Sequence, residues 1–159
     1  MWVFRIAGVL VLACSGFAAA HELNRRSTAA LKQTEGLMRL LRTVRGQIAC
    51  FARPIPEILR ACEPSVLAAC GYTKEESPPD LFALLSHSTV YDAPSVGIVW
   101  HFAEEFGRGY REDEVRACDY ALSLLEERRT SLCADLPIRK KRNTALCVCA
   151  ALALALLLL

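Results

Sequence analysis

The chain predicts an all-α fold: a small disulfide-stabilised helical bundle set between a signal peptide and a C-terminal hydrophobic tail. Three observations carry this reading. Apolar residues recur at steps of three and four along two long stretches. No stretch alternates apolar and polar at period two, which argues against a β-sandwich. Pro54, Pro56, Pro64, Pro78 and Pro79 cluster between the periodic stretches, where they act as stops.

Ala30, Thr34, Leu37, Leu41, Val44, Ile48 and Phe51 form one stripe down a first helix, weakened but not ended by Gly36 and Gly46. Pro54 and Pro56 stop it, and Pro56 can open the next helix as its first residue. Pro56–Cys62 then gives a short helix, and Glu63-Pro64 starts another that ends at Gly71. Glu75–Pro79 reads as a turn, and Asp80 caps a short helix over Leu81–Leu85. Ser88–Asp92 is loop or a brief extended piece. A helix from about Pro94 to Phe106 carries Val96, Val99, Trp100 and Ala103 on its inner side and stops at Gly107. The last helix has Val115, Cys118, Leu122, Leu125 and Leu132 on its stripe, with Glu112, Arg116, Glu126, Glu127 and Arg129 on its wet faces; it is expected to end near Leu132.

The two ends read as processing signals. Met1–Arg5 is a short basic region, Ile6–Phe17 an apolar one, and Ala18-Ala19-Ala20 supplies the small residues of a cleavage site after Ala20. Residues 1–20 are therefore expected to be a signal peptide and His21 the mature N-terminus. Residues 145–159 are apolar throughout and reach about 22 Å as a helix, short of a bilayer core of roughly 30 Å. That length fits a glycosylphosphatidylinositol (GPI) attachment signal, read once and removed. Residues 21–131 would be the displayed helical domain and residues 132–144 a spacer with a basic run. Ser131 is the preferred attachment residue, with Cys133 and Asn143 as alternatives. A competing topology keeps the basic run Arg139-Lys140-Lys141-Arg142 in the cytosol and makes the protein tail-anchored; it fits the positive-inside bias better but leaves the Ala-rich site and the cysteines unexplained.

Without its ends the chain holds one domain of ordinary size, and its overall hydrophobic fraction of 53% is inflated by the two removable segments. Charges are interspersed, with a net of +2, so no basic face points to nucleic acid. Of eight cysteines, Cys14 goes with the leader, and Cys147 and Cys149 go with the tail. Cys50, Cys62, Cys70 and Cys118 remain as disulfide candidates, with Cys133 lost if attachment is at Ser131. Cys118 on a core stripe is expected to pair with Cys50 or Cys70.

Chemistry is sparsely signalled. A mature N-terminal His21, joined by His87 or His101, is the residue set of a copper brace, but the strands that carry such sites are missing. His101 precedes Glu104 and Glu105 on a helix, an arrangement that also arises on any wet helix face. No Walker loop, GxSxG, HExxH or CxxC motif is present, and no cofactor is implied. The run ending at Arg142 also matches a convertase site, which would release a soluble factor or hydrophobic-ligand carrier. Asn24 and Asn143 are the only asparagines, and neither opens a glycosylation sequon.

In layout alone, the chain resembles GPI-anchored surface ligands such as the neuritin family; no cysteine spacing is shared, so no function carries over. The expectation is a GPI-anchored protein on the outer face of the plasma membrane. It would meet the membrane through its lipid and an extracellular protein through its domain, without catalysis.

Overall fold

The computed structural model describes the backbone of residues 2–158 except 52 and 108, and the side chains of residues 14–151, 153 and 154 with the same two exceptions. Among the described residues six helices follow one another: α1 (Trp2–Phe51), α2 (Ile55–Ala61), α3 (Pro64–Ala69), α4 (Leu81–Ser86), α5 (Ala93–Glu105) and α6 (Arg111–Leu158). The protein is all-α; among the described residues the only extended pairing is a single bridge between Tyr72 and Ser88. Two compact units emerge. Ala30–Leu132 forms one, and Met1–Ala29 with Cys133–Leu159 forms the other.

In the Ala30–Leu132 domain the first stripe is buried as its spacing predicts. Leu37, Leu41 and Val44 have no exposure, and Ile48 has 3%. Phe51 departs from the stripe: it is exposed, with the Arg53 guanidinium 5.4 Å from its ring centre. The helix has reached its last turn there, so no neighbouring helix remains to cover it. Ile58 and Leu59 of α2, Leu67 of α3, Leu81, Leu84 and Leu85 of α4, and Val99 and Phe102 of α5 meet the α1 stripe in one core. Burying each such side chain contributes about 1.5–3 kcal/mol.

The short helices are set by their ends. The Asp80 carboxylate accepts the Ala83 amide at 2.6 Å, the cap that the sequence predicts. Gly71 closes α3 at φ +93°, in the left-handed region that glycine enters without a Cβ penalty. Gly107 does the same after α5 at φ +84°.

Two expectations need correction. Trp100 does not lie on the inner side of α5. It is exposed on the surface, edge-on to Phe82 at 5.4 Å, and its indole N–H donates to Glu104. Phe102 takes the core position, because Val99, Phe102 and Ala103 fall on the three-and-four spacing that faces α1 and α6. The last helix does not end near Leu132. Residues 133–158 contain no glycine, and α6 continues through Pro137. Proline there removes one backbone donor, a local loss of roughly 3 kcal/mol that the strong helix formers on either side offset.

The disulfides expected from the sequence are not seen in this structure. Cys50, Cys62, Cys70 and Cys118 all carry free thiols. Cys62, Cys70 and Cys118 sit in the apolar core as small hydrophobic side chains, while Cys50 is exposed. Packing and a buried polar network hold the elements of the domain together.

In the second unit, the chain's two ends run antiparallel. Gly16 lies against Cys147 and Ala151, and Asn24 lies against Asn143 and Thr144. Advancing along α1 from Gly16 to Asn24 thus moves backward along α6.

Candidate functional site

The most ordered polar constellation of the domain centres on Gln33, which α1 carries into the core with 1% exposure. Its amide is fully used. Nε2 donates to the Cys70 carbonyl at 2.9 Å and to the Thr89 carbonyl at 2.7 Å. Oε1 accepts the backbone amides of Tyr91 at 2.8 Å and Asp92 at 3.0 Å. One side chain thereby fixes both the end of α3 and the loop that enters α5. Because Gly71 passes so near, a Cβ there would stand 2.8 Å from Gln33 Nε2 and 2.6 Å from the Thr89 carbonyl oxygen.

Asp92 continues the network. It caps α5 through the Ser95 amide at 3.1 Å and accepts the Ser95 hydroxyl at 2.6 Å. The Arg128 guanidinium grips both of its oxygens, at 3.0 and 2.7 Å. The Ser95 hydroxyl in turn meets the Thr34 hydroxyl of α1 at 2.8 Å. Burial alone would raise the Asp92 carboxyl, but Arg128 and Ser95 hold it below its ordinary value. Every polar partner points inward to another protein group. This arrangement locks α1, α5 and α6 together.

An apolar concavity of the domain lies elsewhere. A half-open groove of about 340 Å³ runs between α5 and α6, with Gly97, Ile98 and Phe102 on one wall and Ala117, Tyr120 and Leu124 on the other. His101 and Glu105 stand at its rim. A Cβ on Gly97 would meet nothing within 4 Å, so the groove is open at its middle. Exposed Tyr120 gives the α6 wall an aromatic surface. Such a lining of apolar walls with few polar groups suits contact with another molecule's apolar side chains.

The histidines singled out from the sequence are all exposed. His87 is the residue after α4. His101 has ring nitrogens 3.9 Å from Glu104 and 3.5 Å from Glu105, the pairing of a wet helix face. His21 lies in the other unit. Among the described residues no cluster of His, Cys, Asp and Glu could hold a metal ion.

The processing positions all fall within helices. Ala20 is buried at 3% exposure in α1. Ser131, Cys133 and Arg142 are exposed and Asn143 is half-buried in α6. Cleavage at any of them requires local unwinding, because a protease takes its substrate extended. Most of the apolar run 6–17 and the far end of the tail lie outside the described side chains. Among the described residues, no helix is long and apolar enough to cross a membrane.

The sequence reading missed Gln33, Asp92 and Arg128 as a group. The available signals were a polar residue four positions before Leu37 on the apolar stripe, and an Asp-Ala-Pro-Ser helix start at residues 92–95. Arg128 carried no signal, since only tertiary packing brings it to Asp92.

No family model matches this chain, and neither a curated protein nor a solved structure does.

Proposed function

We propose that this protein is a membrane-attached helical module that acts by binding a protein partner and not by catalysis. The observation that carries the reading is the apolar run 145–159 directly after the basic run 139–142, which together suit a chain end held at a lipid surface. The saturated polar network and the apolar groove between α5 and α6 support a binding role for the domain.

The route that the sequence suggests is export, removal of residues 1–20, and GPI attachment at Ser131, with Cys133 and Asn143 as alternative positions. On this route Cys50, Cys62, Cys70 and Cys118 enter an oxidising compartment and pair. A second route is favoured by one structural observation, the antiparallel packing of the two chain ends. On that route both ends are kept.

Fractionation of cells expressing the full chain tests the shared claim. The protein is expected in the membrane pellet, resistant to alkaline carbonate. Recovery in the soluble fraction would overturn membrane attachment by either route. Release by phosphatidylinositol-specific phospholipase C would select the GPI route.

A further inference from the structure

We infer that the chain's two ends form a retained antiparallel helical pair whose outer surface is built for the interior of a lipid bilayer, with the basic end of the pair at the cytoplasmic face. This rests on the membrane-attached reading and names the means of attachment.

The seam of the pair has the composition of helix packing within lipid. On α1, Gly16, Ala20 and Asn24 follow one another at steps of four; on α6, Asn143, Cys147 and Ala151 do the same. Residues four apart share one helix face. A Cβ on Gly16 would stand 3.0 Å from the Ala151 Cβ and 3.2 Å from the Cys147 carbonyl oxygen, so the two helices pass close to one another there. Ala20 is 3% exposed. At the basic end, the Asn24 amide donates to the Thr144 hydroxyl and accepts from the Asn143 amide, each at 3.4 Å. Small residues at the seam and polar side chains bonding across it are how helices associate where no hydrophobic force separates them from their solvent.

The outer surface shows the complement. Phe17 is 70% exposed, Leu146 63%, Val148 44% and Leu154 49%. Small side chains inside and large apolar ones outside invert the order of a water-soluble helix pair, in which the large side chains are buried between the helices.

The register extends the argument along the chain. Gly16 opposite residues 147–151, and Asn24 opposite 143–144, give pairs whose numbers sum to 163–168. Continued along the sequence, the same register sets residues 7–20 beside residues 145–158. Each apolar run reaches about 22 Å as a helix. Packing of residues 16–24 against residues 143–151 needs both segments to be present. The shortfall against a core of roughly 30 Å is of the kind that bilayer thinning and snorkelling of flanking basic side chains accommodate.

Charge fixes the sidedness. Arg25, Arg26, Arg139, Lys140, Lys141 and Arg142 flank the Asn24 end of the pair, while Arg5 alone lies toward the other. The excess of Lys and Arg marks the cytoplasmic side. The chain leaves the pair at residue 29 and re-enters it at residue 133, both at the basic end.

The test uses the full chain in cells. Intact mass of the membrane-extracted protein is expected near 17.5 kDa, with both terminal peptides present. An impermeant maleimide is expected to label Cys50 at least tenfold more after permeabilisation than before. The variant Gly16→Leu is expected to stay in the membrane pellet while labelling of half-buried Cys147 by a permeant maleimide rises several-fold relative to exposed Cys149. A mature N-terminus at His21, or a glycolipid at Ser131, would overturn retention while leaving membrane attachment standing. Labelling of Cys50 on intact cells would overturn the sidedness. Unchanged Cys147 labelling in Gly16→Leu would overturn the pairing, and a wholly soluble protein would overturn the membrane reading on which it rests.

Discussion

Gly36 of α1 and Ala69 of α3 meet backbone to backbone. A Cβ built on Gly36 would lie 2.6 Å from the Ala69 carbonyl carbon and 2.9 Å from its Cβ, distances that real Cβ atoms do not adopt. Gly46, ten residues further along the same helix, would place a Cβ in open space. The two glycines look alike in sequence and have opposite roles in the fold.

Gly36→Ala is expected to destabilise the domain by about 1–3 kcal/mol, because α3 must move and the core cluster with it. Gly46→Ala is expected to stabilise it by about 0.5–1 kcal/mol, the helix-propensity difference alone. Chemical denaturation of the two variants checks both signs; equal effects would contradict the close approach of α1 and α3.

Gln33→Leu keeps the volume of the side chain near its original size but removes four hydrogen bonds. The Cys70 and Thr89 carbonyls and the Tyr91 and Asp92 amides lose their partner together. A loss of about 3 kcal/mol or more is expected, since each buried unsatisfied group costs roughly 1–3 kcal/mol. Hydrogen exchange at Tyr91 and Asp92 should accelerate in the same variant, and unchanged protection there would count against the network.

Asp92 gives the domain an acid-sensitive component. Its carboxyl is held below its ordinary value in the folded state, so the stability it contributes is present above the unfolded value of about 3.9. That contribution is lost as pH falls through the lower folded value. Asp92→Asn is expected to cost about 3 kcal/mol at neutral pH, at the low end for a buried pair because the Arg128 side chain is 27% exposed. The variant should also show a flatter stability profile below about pH 4. Denaturant midpoints measured from pH 2.5 to 7 on both proteins make the comparison.

Thiol reactivity separates the cysteines. Burial pushes the Cys70 and Cys118 thiols up to about 12, so both are expected to resist maleimide at pH 8 until the domain unfolds. Exposed Cys50 should react in the native state. Mass mapping after pulsed labelling reads the pattern directly. Cys70 or Cys118 failing to label even after denaturation without reductant would show that they are paired.

Much of the domain follows from residue order alone. The α1 stripe from Ala30 to Ile48, the proline-bounded α2 and α3, the Asp80 cap and the glycine stops at 71 and 107 are local consequences of helix periodicity, capping and backbone sterics. Each is settled by residues within a turn or two of one another, and so each was legible. The helical class follows from their sum. Trp100 was misplaced because periodicity alone does not choose between adjacent registers on α5; contact with Phe82 and Glu104 outside, and with the α1 core inside, made that choice. Only the tertiary structure tells Gly36 from Gly46, since a glycine's neighbours across a helix crossing leave no mark on its own helix. Only it joins Gln33 to a loop more than fifty residues away, and Arg128 to Asp92, because such bonds depend on where helices land. The sequence determined that both ends of the chain are apolar. Their shared register, with Gly16 on Cys147 and Asn24 on Thr144, exists only once the two helices are side by side, where close packing and hydrogen bonding choose one alignment.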